Sequence, residues 1–350
     1  MKLDEFIKFN PKESLSNGKH FKCVDMASLD PFTRKPNHFI SIYKGGSKFR
    51  NGDTIMARIT PCLENGKTSY INFLQQNEIA FGSTEFIVAR AIPNVSLPLF
   101  IYYLLCSNRI REIAISSMTG SSGRERVQQI SLNEIEIPDY SISYQQHIVD
   151  IIGSVDSLIE LNQEKISKIK RLATQKYEFL YKTYPKSAIG KRLKFIKGKQ
   201  PKFASKEDGE PYLIIDDLAS NIHTQFSSEG LVCDENDVLM VMDGASSGKV
   251  FTGNNGYVGS TLAKLSSPQI KPSILYFGLS KFEEEIMKNT TGSAIPHTDK
   301  SFVSELRIVD DLDDKTTDFF NFCLNQICNL RTQNSLFYIQ KEILLKKYFH

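Results

Sequence analysis

The longest regular signal in the chain is a run of positions spaced alternately three and four residues apart. Ile152, Val155, Ile159, Asn162, Ile166, Ile169, Ala173, Lys176 and Leu180 follow it, with Glu160, Glu164, Lys165, Lys168, Lys170 and Arg171 lying between them. This spacing draws one stripe along an α-helix and predicts a helix that packs against another helix. A second run, Phe320, Cys323, Ile327, Leu330, Asn334, Phe337, Lys341 and Leu344, keeps the period and is more aromatic and less charged. Each covers about 33 residues, or roughly 50 Å at the rise of an α-helix. A helix that long with a single apolar stripe needs a partner, and the polar interruptions Asn162 and Asn334 suit register-setting positions in a helix pair. Tyr184-Pro185 predicts the end of the first helix, because proline cannot continue it and disfavours helix in the residue before. The alternative is two unrelated helices, each packed on its own domain.

The remainder of the chain comes twice. Gly52-Asp53-Thr54-Ile55-Met56 precedes Gly66-Lys67, then Phe81-Gly82-Ser83-Thr84, then a Pro98-led apolar stretch with Ile101-Tyr102, then Thr119-Gly120-Ser121. The same order returns as Asn236-Asp237-Val238-Leu239-Met240, Gly248-Lys249, Tyr257-Val258-Gly259-Ser260-Thr261, Pro272 with Leu275-Tyr276, and Thr291-Gly292-Ser293. The copies stand roughly 175 residues apart, the offset drifting as loops shorten, and five matches in order indicate a tandem duplication. A strand-like run closes each globular unit, Ile130 to Pro138 and Phe302 to Val309. The expected fold is α+β. Two pseudo-repeated globular domains, 1–145 and 185–312, are separated by two long helices, 146–184 and 313–350, that pair as an antiparallel coiled coil. The chain order globule, helix, globule, helix would then hold the globules at opposite ends, a dumbbell with pseudo-twofold symmetry.

Composition narrows the picture. The chain has 350 residues, 41% of them hydrophobic and 24% charged, which suits a globular protein with room for two cores. With 43 basic against 40 acidic residues the net charge is only +3, so any nucleic-acid binding must come from local patches. The six cysteines form no Cys-x-x-Cys pair and no grouping at zinc spacing, which suits a reduced compartment. Met1 to Asn10 contains no apolar run of the kind a signal peptide needs. Leu97 to Cys106 is about half a membrane span, carries Pro98, and reads as a buried helix. A cytoplasmic location is expected.

The ordered motifs resemble the target-recognition domains of type I restriction–modification specificity subunits. The resemblance rests on the run from Gly52 to Lys67, on Phe81-Gly82-Ser83-Thr84-Glu85-Phe86, and on Thr119 to Arg124 followed by Ile137-Pro138 and Gln145-Gln146-His147-Ile148-Val149. In the second half Phe195-Ile196-Lys197-Gly198-Lys199-Gln200-Pro201 resembles the segment that opens such a domain. It implies a non-catalytic scaffold whose two domains each read half of a split, asymmetric site in double-stranded DNA. It further implies helices that act as a ruler and dock two methyltransferase subunits, through which the restriction subunit joins. S-adenosylmethionine, ATP and magnesium belong to those partners, so no cofactor or metal is assigned to this chain. The last helix departs from the family in being rich in Phe, Tyr and Cys.

Reading base pairs needs side chains that reach base edges from loops on a rigid core, with basic groups neutralising phosphates. Arg58, Lys67, Arg124 and Arg126 stand beside Gly, Ser and Thr, as do Ser83 and Thr84, and are the candidates in the first half. Lys249, Ser260, Thr261, His297 and Lys300 occupy comparable stretches of the second. Arg58 lies in a strand-like alternation, where pairing with an acid is the alternative role. The halves differ at Arg124-Glu125-Arg126 against Ile295-Pro296-His297, which predicts half-sites of different sequence.

Catalytic readings fare worse. Gly244-Ala245-Ser246-Ser247-Gly248-Lys249-Val250 resembles a phosphate-binding loop, but only three residues separate the glycines and Val250 stands where a magnesium-binding hydroxyl belongs. It reads as a hairpin. Asn10-Pro11-Lys12 and Asp30-Pro31-Phe32 lack the second proline of an amino-methyltransferase strip, and the histidines at 20, 38, 147, 223, 297 and 350 fall in no catalytic context. The remaining rival is a coiled-coil scaffold that binds only protein, separable from the first reading by salt-dependent binding to duplex DNA.

Overall fold

A computed structural model describes residues 1–220, 223–292 and 294–349. The chain forms two compact units, Met1–Ser157 with Ile339–His350, and Leu158–Tyr338. Ser293, the last residue of the second Thr-Gly-Ser motif, and His350 lie outside the described residues.

The first unit holds two four-stranded sheets made from β1 (Ile7–Phe9), β2 (His20–Val24), β3 (Phe39–Ile42), β4 (Ser47–Phe49), β5 (Thr54–Ala57), β6 (Thr68–Tyr70), β7 (Ala80–Gly82) and β8 (Phe86–Ala91). Their orders are β1-β8-β5-β6 and β3-β2-β7-β4. The second unit contains β9 (Ser187–Ala188), β10 (Lys194–Lys197), β11 (Glu210–Leu213), β12 (Phe226–Ser227), β13 (Val232–Cys233), β14 (Val238–Val241), β15 (Val250–Phe251), β16 (Gly256–Val258), β17 (Leu262–Ser266), β18 (Thr290–Thr291), β19 (His297–Thr298) and β20 (Arg307–Ile308). Its four-stranded sheets run β10-β17-β14-β15 and β12-β11-β16-β13. Strand for strand this is the first unit again, down to one parallel pair in each, β2 with β7 and β11 with β16. The duplication seen in the motifs is therefore a duplication of topology.

The central strands explain why those motifs recur. Thr54-Ile55-Met56-Ala57 and Val238-Leu239-Met240-Val241 are buried at every position, which a short apolar run bounded by turns predicts. After the last sheet strand each unit turns into a helix begun by proline, Pro98–Cys106 and Pro272–Lys281, where the missing N–H costs nothing. Phe100 to Leu105 and Ser273 to Leu279 are buried throughout. Among the described residues no helix is long and apolar enough to cross a membrane.

The runs expected to be strand-like begin instead as short helices, Gln129–Asn133 and Lys300–Glu305. In the second, the Asp299 carboxylate accepts hydrogen bonds from Ser301 N and Phe302 N, a cap that starts a helix. In the first, Leu132 and Ile135 are buried three residues apart while Ile130 is exposed, a helical step hidden in an apparent alternation. Only Glu136, bridged to Lys2, and β20, paired with β9, keep the extended form.

The long helices are Ile142–Thr183 and Asp314–Tyr348, and they run antiparallel within each unit. In the second unit the Tyr177 ring meets Phe320 at 5.8 Å, while Asn162 Nδ2 donates to Asn334 Oδ1 at 3.0 Å. In the first, His147 faces Tyr348, and Asp156 pairs with Lys341 at 2.8 Å. The seam departs from the expected one at two places. Tyr177 and Tyr338 are buried where Lys176 and Phe337 were expected, because the helix drifts against a strict heptad. Lys176 instead lies over the Phe319 ring at 4.7 Å.

Candidate nucleic-acid interface

In the first unit three loops meet at the end of β5. Arg58 N donates to Glu85 O at 2.9 Å, Val127 N to Arg58 O at 2.8 Å, and Thr60 N to Glu125 O at 3.0 Å. The third loop is a hairpin closed where Thr119 and Arg126 exchange backbone hydrogen bonds of 2.9 and 3.1 Å. Its tip is Gly120 to Glu125, and a Cβ on Gly120 would come within 2.9 Å of Arg124 O, so this corner requires glycine.

The second unit repeats the arrangement bond for bond. Met242 N donates to Thr261 O at 2.8 Å, Thr298 N to Met242 O at 2.8 Å, and Gly244 N to Pro296 O at 2.9 Å. Here Thr291 pairs with His297, and a Cβ on Gly292 would meet Ile295 O at 2.5 Å. The segment from Gly244 to Lys249 is the turn of a hairpin between β14 and β15, which pair through Met240 and Val250.

Different side chains occupy the common frame. Arg126 grips Glu85 through both arms of its guanidinium, Nη2 to Oε1 at 2.7 Å and Nε to Oε2 at 3.0 Å, and Arg58 Nε stands 3.6 Å from Oε2. Hydrogen bonding from Arg126 holds the Glu85 carboxyl below its ordinary range, so it is ionised at neutral pH. One carboxylate thus orients two guanidiniums, and both remain more than a third exposed. In the second unit Thr261 stands where Glu85 does in the first, and the carboxylate comes instead from Asp243, with Oδ1 2.7 Å from His297 Nδ1 and Oδ2 2.7 Å from Lys197 Nζ. Burial pushes the Asp243 carboxyl up, but hydrogen bonds from Lys197 and His297 outweigh it and leave it lowered.

The candidate residues divide between this cluster and its supports. Arg58, Arg126 and Ser83 converge on Glu85, the Ser83 hydroxyl accepting from Glu85 N at 3.1 Å, and Arg124 is exposed at the hairpin tip. Thr84 is exposed on the same loop. Lys67 points away, its ammonium donating to Met26 O at 2.9 Å while its carbonyl accepts Ala57 N. Lys249 is its counterpart, its carbonyl accepting Val241 N. Ser260 N donates to the Tyr212 hydroxyl at 2.8 Å, and Thr261 supplies the carbonyl that binds Met242. Lys300 is exposed on the first turn after Asp299, 5.8 Å from the Phe195 ring centre. Sequence reasoning missed Glu85, Asp243 and Lys197 as members of the cluster. The one signal for Glu85 was the acid partner that the setting of Arg58 demanded.

Residues 3–171 match the family model for the type I restriction modification DNA specificity domain. The MjaVIII type I restriction enzyme specificity subunit of Methanocaldococcus jannaschii is 34% identical over 128 residues, covering 34% of this chain and 30% of that protein. The EcoAI specificity subunit of Escherichia coli is 31% identical over 129 residues, covering 37% of this chain and 22% of the relative. The matched stretch therefore spans less than a third of either relative. Among solved structures, the S subunit from M. genitalium aligns over 100% of this chain and 95% of its own at 17% identity and a TM-score of 0.47. The HsdS subunit from Thermoanaerobacter tengcongensis aligns over 95% and 90% at 18% identity and a TM-score of 0.38.

Proposed function

We propose that the chain is a type I restriction-modification specificity subunit whose two repeats each read one half of a bipartite, asymmetric DNA site, a reading supported by the match of residues 3–171 to the specificity-domain model and by the similar specificity subunits. The functional division we assign is 1–145 and 185–312 for recognition, with 146–184 and 313–350 as the helical spacer. The observation that carries this reading is the common three-loop frame filled with unlike side chains. Base readout requires polar side chains on loops whose backbone is fixed, and the backbone bonds common to both frames fix it while the side chains at the loop tips differ.

In this reading Arg58, Arg124 and Arg126, with Ser83 and Thr84, face DNA in the first half. His297, Lys300, Lys249, Ser260 and Thr261 do so in the second, while Lys67 braces the loop behind the first set. A guanidinium fork held by a carboxylate matches guanine O6 and N7 or a phosphate, whereas an imidazole and an ammonium match neither in the same way. The paired helices set the gap between half-sites and dock two methyltransferase subunits, through which the restriction subunit joins. The chain supplies recognition and no chemistry of its own.

Methylome sequencing of cells carrying the methyltransferase partner, with and without this chain, tests the proposal. One split motif with unlike halves, methylated only when the chain is present, is expected. A perfect palindrome would contradict asymmetric reading. Methylation indifferent to the chain would leave a protein-binding coiled-coil scaffold in its place.

A further inference from the structure

The two units share their strand pairing but not the charge of one lobe. From the end of β1 to the end of β4, residues 10–49 hold seven Lys and Arg against three Asp and Glu, a net of +4. The equivalent residues 198–233 hold three against six, a net of −3. The whole chain carries only +3, so the two lobes differ in the sign of their charge by more than the chain's total.

Much of that charge surrounds the ribbon of β2 and β3, where β3 is an edge strand. The register pairs His20 with Ile42 and Lys22 with Ile40, which puts these four side chains on one face. Ile40 is 63% exposed, Ile42 42% and Phe39 44%. Lys19, Lys35 and Lys44 are exposed around them, with no ion-pair partner among the described residues. Lys22, bonded to Glu78 at 3.0 Å, and His38, stacked on Phe73 at 4.0 Å, steady the ribbon. Tyr43 N donates inward to Lys19 O, so alternation turns the backbone groups of Ile42 and Ile40 outward.

In the second unit the corresponding edge is covered by the chain itself. Ala204 N donates to Phe226 O at 3.0 Å and Ser228 N to Lys202 O at 3.0 Å, which lays the segment around Phe203 along β12. Among the described residues no segment does this for β3.

We propose that the β2–β3 ribbon is a second DNA-contacting surface of the first unit, absent from the second, in which Lys19, Lys35 and Lys44 neutralise phosphates and Ile40 and Ile42 meet thymine methyl groups. The major groove admits a two-stranded ribbon, and the thymine methyl is its one apolar feature. Strand addition by a protein partner is the competing use of a bare edge, but lysines beside an edge discourage such pairing while attracting a polyanion. The inference rests on the chain's DNA-reading role and extends it to residues outside the three-loop frame.

The test uses the specificity chain assembled with its methyltransferase partner. Three forms are compared with the parent: Lys19→Ala with Lys35→Ala and Lys44→Ala, the same sites changed to Arg, and Ile40→Ser with Ile42→Ser. Because all five side chains are exposed, each form is expected to keep the parent's melting profile. The alanine triple is expected to weaken DNA binding at all sequences and to flatten the slope of log affinity against log salt by about 2–3, roughly 0.9 for each lost phosphate contact. The arginine triple restores both. The serine pair keeps the salt slope but relaxes A·T preference within one half-site of the methylated motif. Alanine and serine forms that match the parent in affinity, slope and motif overturn the ribbon proposal while leaving the split motif in place. So does loss of assembly with the methyltransferase, which makes the edge a protein contact. A parent complex that binds DNA without sequence preference refutes the underlying DNA-reading role instead.

Discussion

Replacing Lys341 by Met should cost the first unit about 3 kcal/mol, the lower end of the roughly 3–5 kcal/mol range for breaking a buried ion pair from one side. The Lys341 ammonium is 2.8 Å from Asp156 Oδ1, 3.2 Å from the Tyr102 hydroxyl and 3.3 Å from Phe32 O. The two side chains are only 5% and 3% exposed, so water cannot take over when the cation is lost. Asp156 keeps one partner, because the Tyr103 hydroxyl donates to Oδ2 at 2.9 Å, and this places the loss at the lower end. For a unit of this size the melting midpoint should fall by roughly 6–12 °C. Adding Asp156→Leu to Lys341→Met should recover most of it, since a matched apolar pair does without both desolvation costs. Thermal and urea unfolding of the four proteins of this double-mutant cycle measure it. A single variant that loses less than about 1 kcal/mol, or a double variant no more stable than the single, would refute the assignment of the last helix from Ile339 onward as a buried part of the first unit.

Two further outcomes follow from the titratable groups. Glu85→Gln should free Arg58 and Arg126 from their shared carboxylate, raising affinity for arbitrary DNA while lowering discrimination at one half-site by about 1–3 kcal/mol, the worth of a bidentate base contact. Competition binding with single-base changes reads both effects, and unchanged discrimination would mean the clamp does not aim the guanidiniums. His223 is held to a pKa of about 4, chiefly by burial and secondarily by the charge of Arg331. The unfolded chain binds its proton near pH 6.5 and the folded one does not, so this contribution is complete above that value and is lost as pH falls toward 4. Up to about 3 kcal/mol rides on that window, at 1.36 kcal/mol per pH unit. Urea titrations of the parent and of His223→Phe across pH 7 to 4 should differ in slope, and parallel curves would remove His223 as the cause.

What the sequence disclosed was whatever repeats at a fixed period. The heptads announced both long helices, and Asn162 with Asn334 announced their register, because a polar break in an apolar stripe is visible without knowing its partner. The duplication was legible because turns that need glycine and strands buried on every side tolerate few residue types, as Gly120 with Gly292 and Met56 with Met240 illustrate. Two kinds of feature stayed hidden. Short elements were misread where a capping aspartate, Asp299, started a helix inside an apparent strand. Ion pairs across the fold were invisible, since nothing local to Glu85 points to Arg126, 41 residues away, or ties Asp156 to Lys341, 185 away. The candidate loops were found by residue type, but the carboxylates that orient them were found only in three dimensions.

The manner in which the cluster is anchored bears on how the two repeats can diverge inside one chain. Main-chain bonds recur in both frames, with the Ser247 and Thr298 hydroxyls adding to them in the second, so the same frame carries Arg126 in one unit and His297 in the other, and its carboxylate comes from Glu85 in one and Asp243 in the other. What changes is the geometry offered to a ligand. Two guanidiniums around one carboxylate present planar forks at fixed angles, whereas an ammonium is a rotating point charge and an imidazole a single remaining ring nitrogen. The same logic applies beyond the frame, where one unit bares the β3 edge beneath lysines and the other closes β12 with its own chain. A duplicated fold whose backbone is shared and whose outward groups differ in number, shape and charge cannot hold two identical half-sites equally well, and this is the physical reason to expect an asymmetric target.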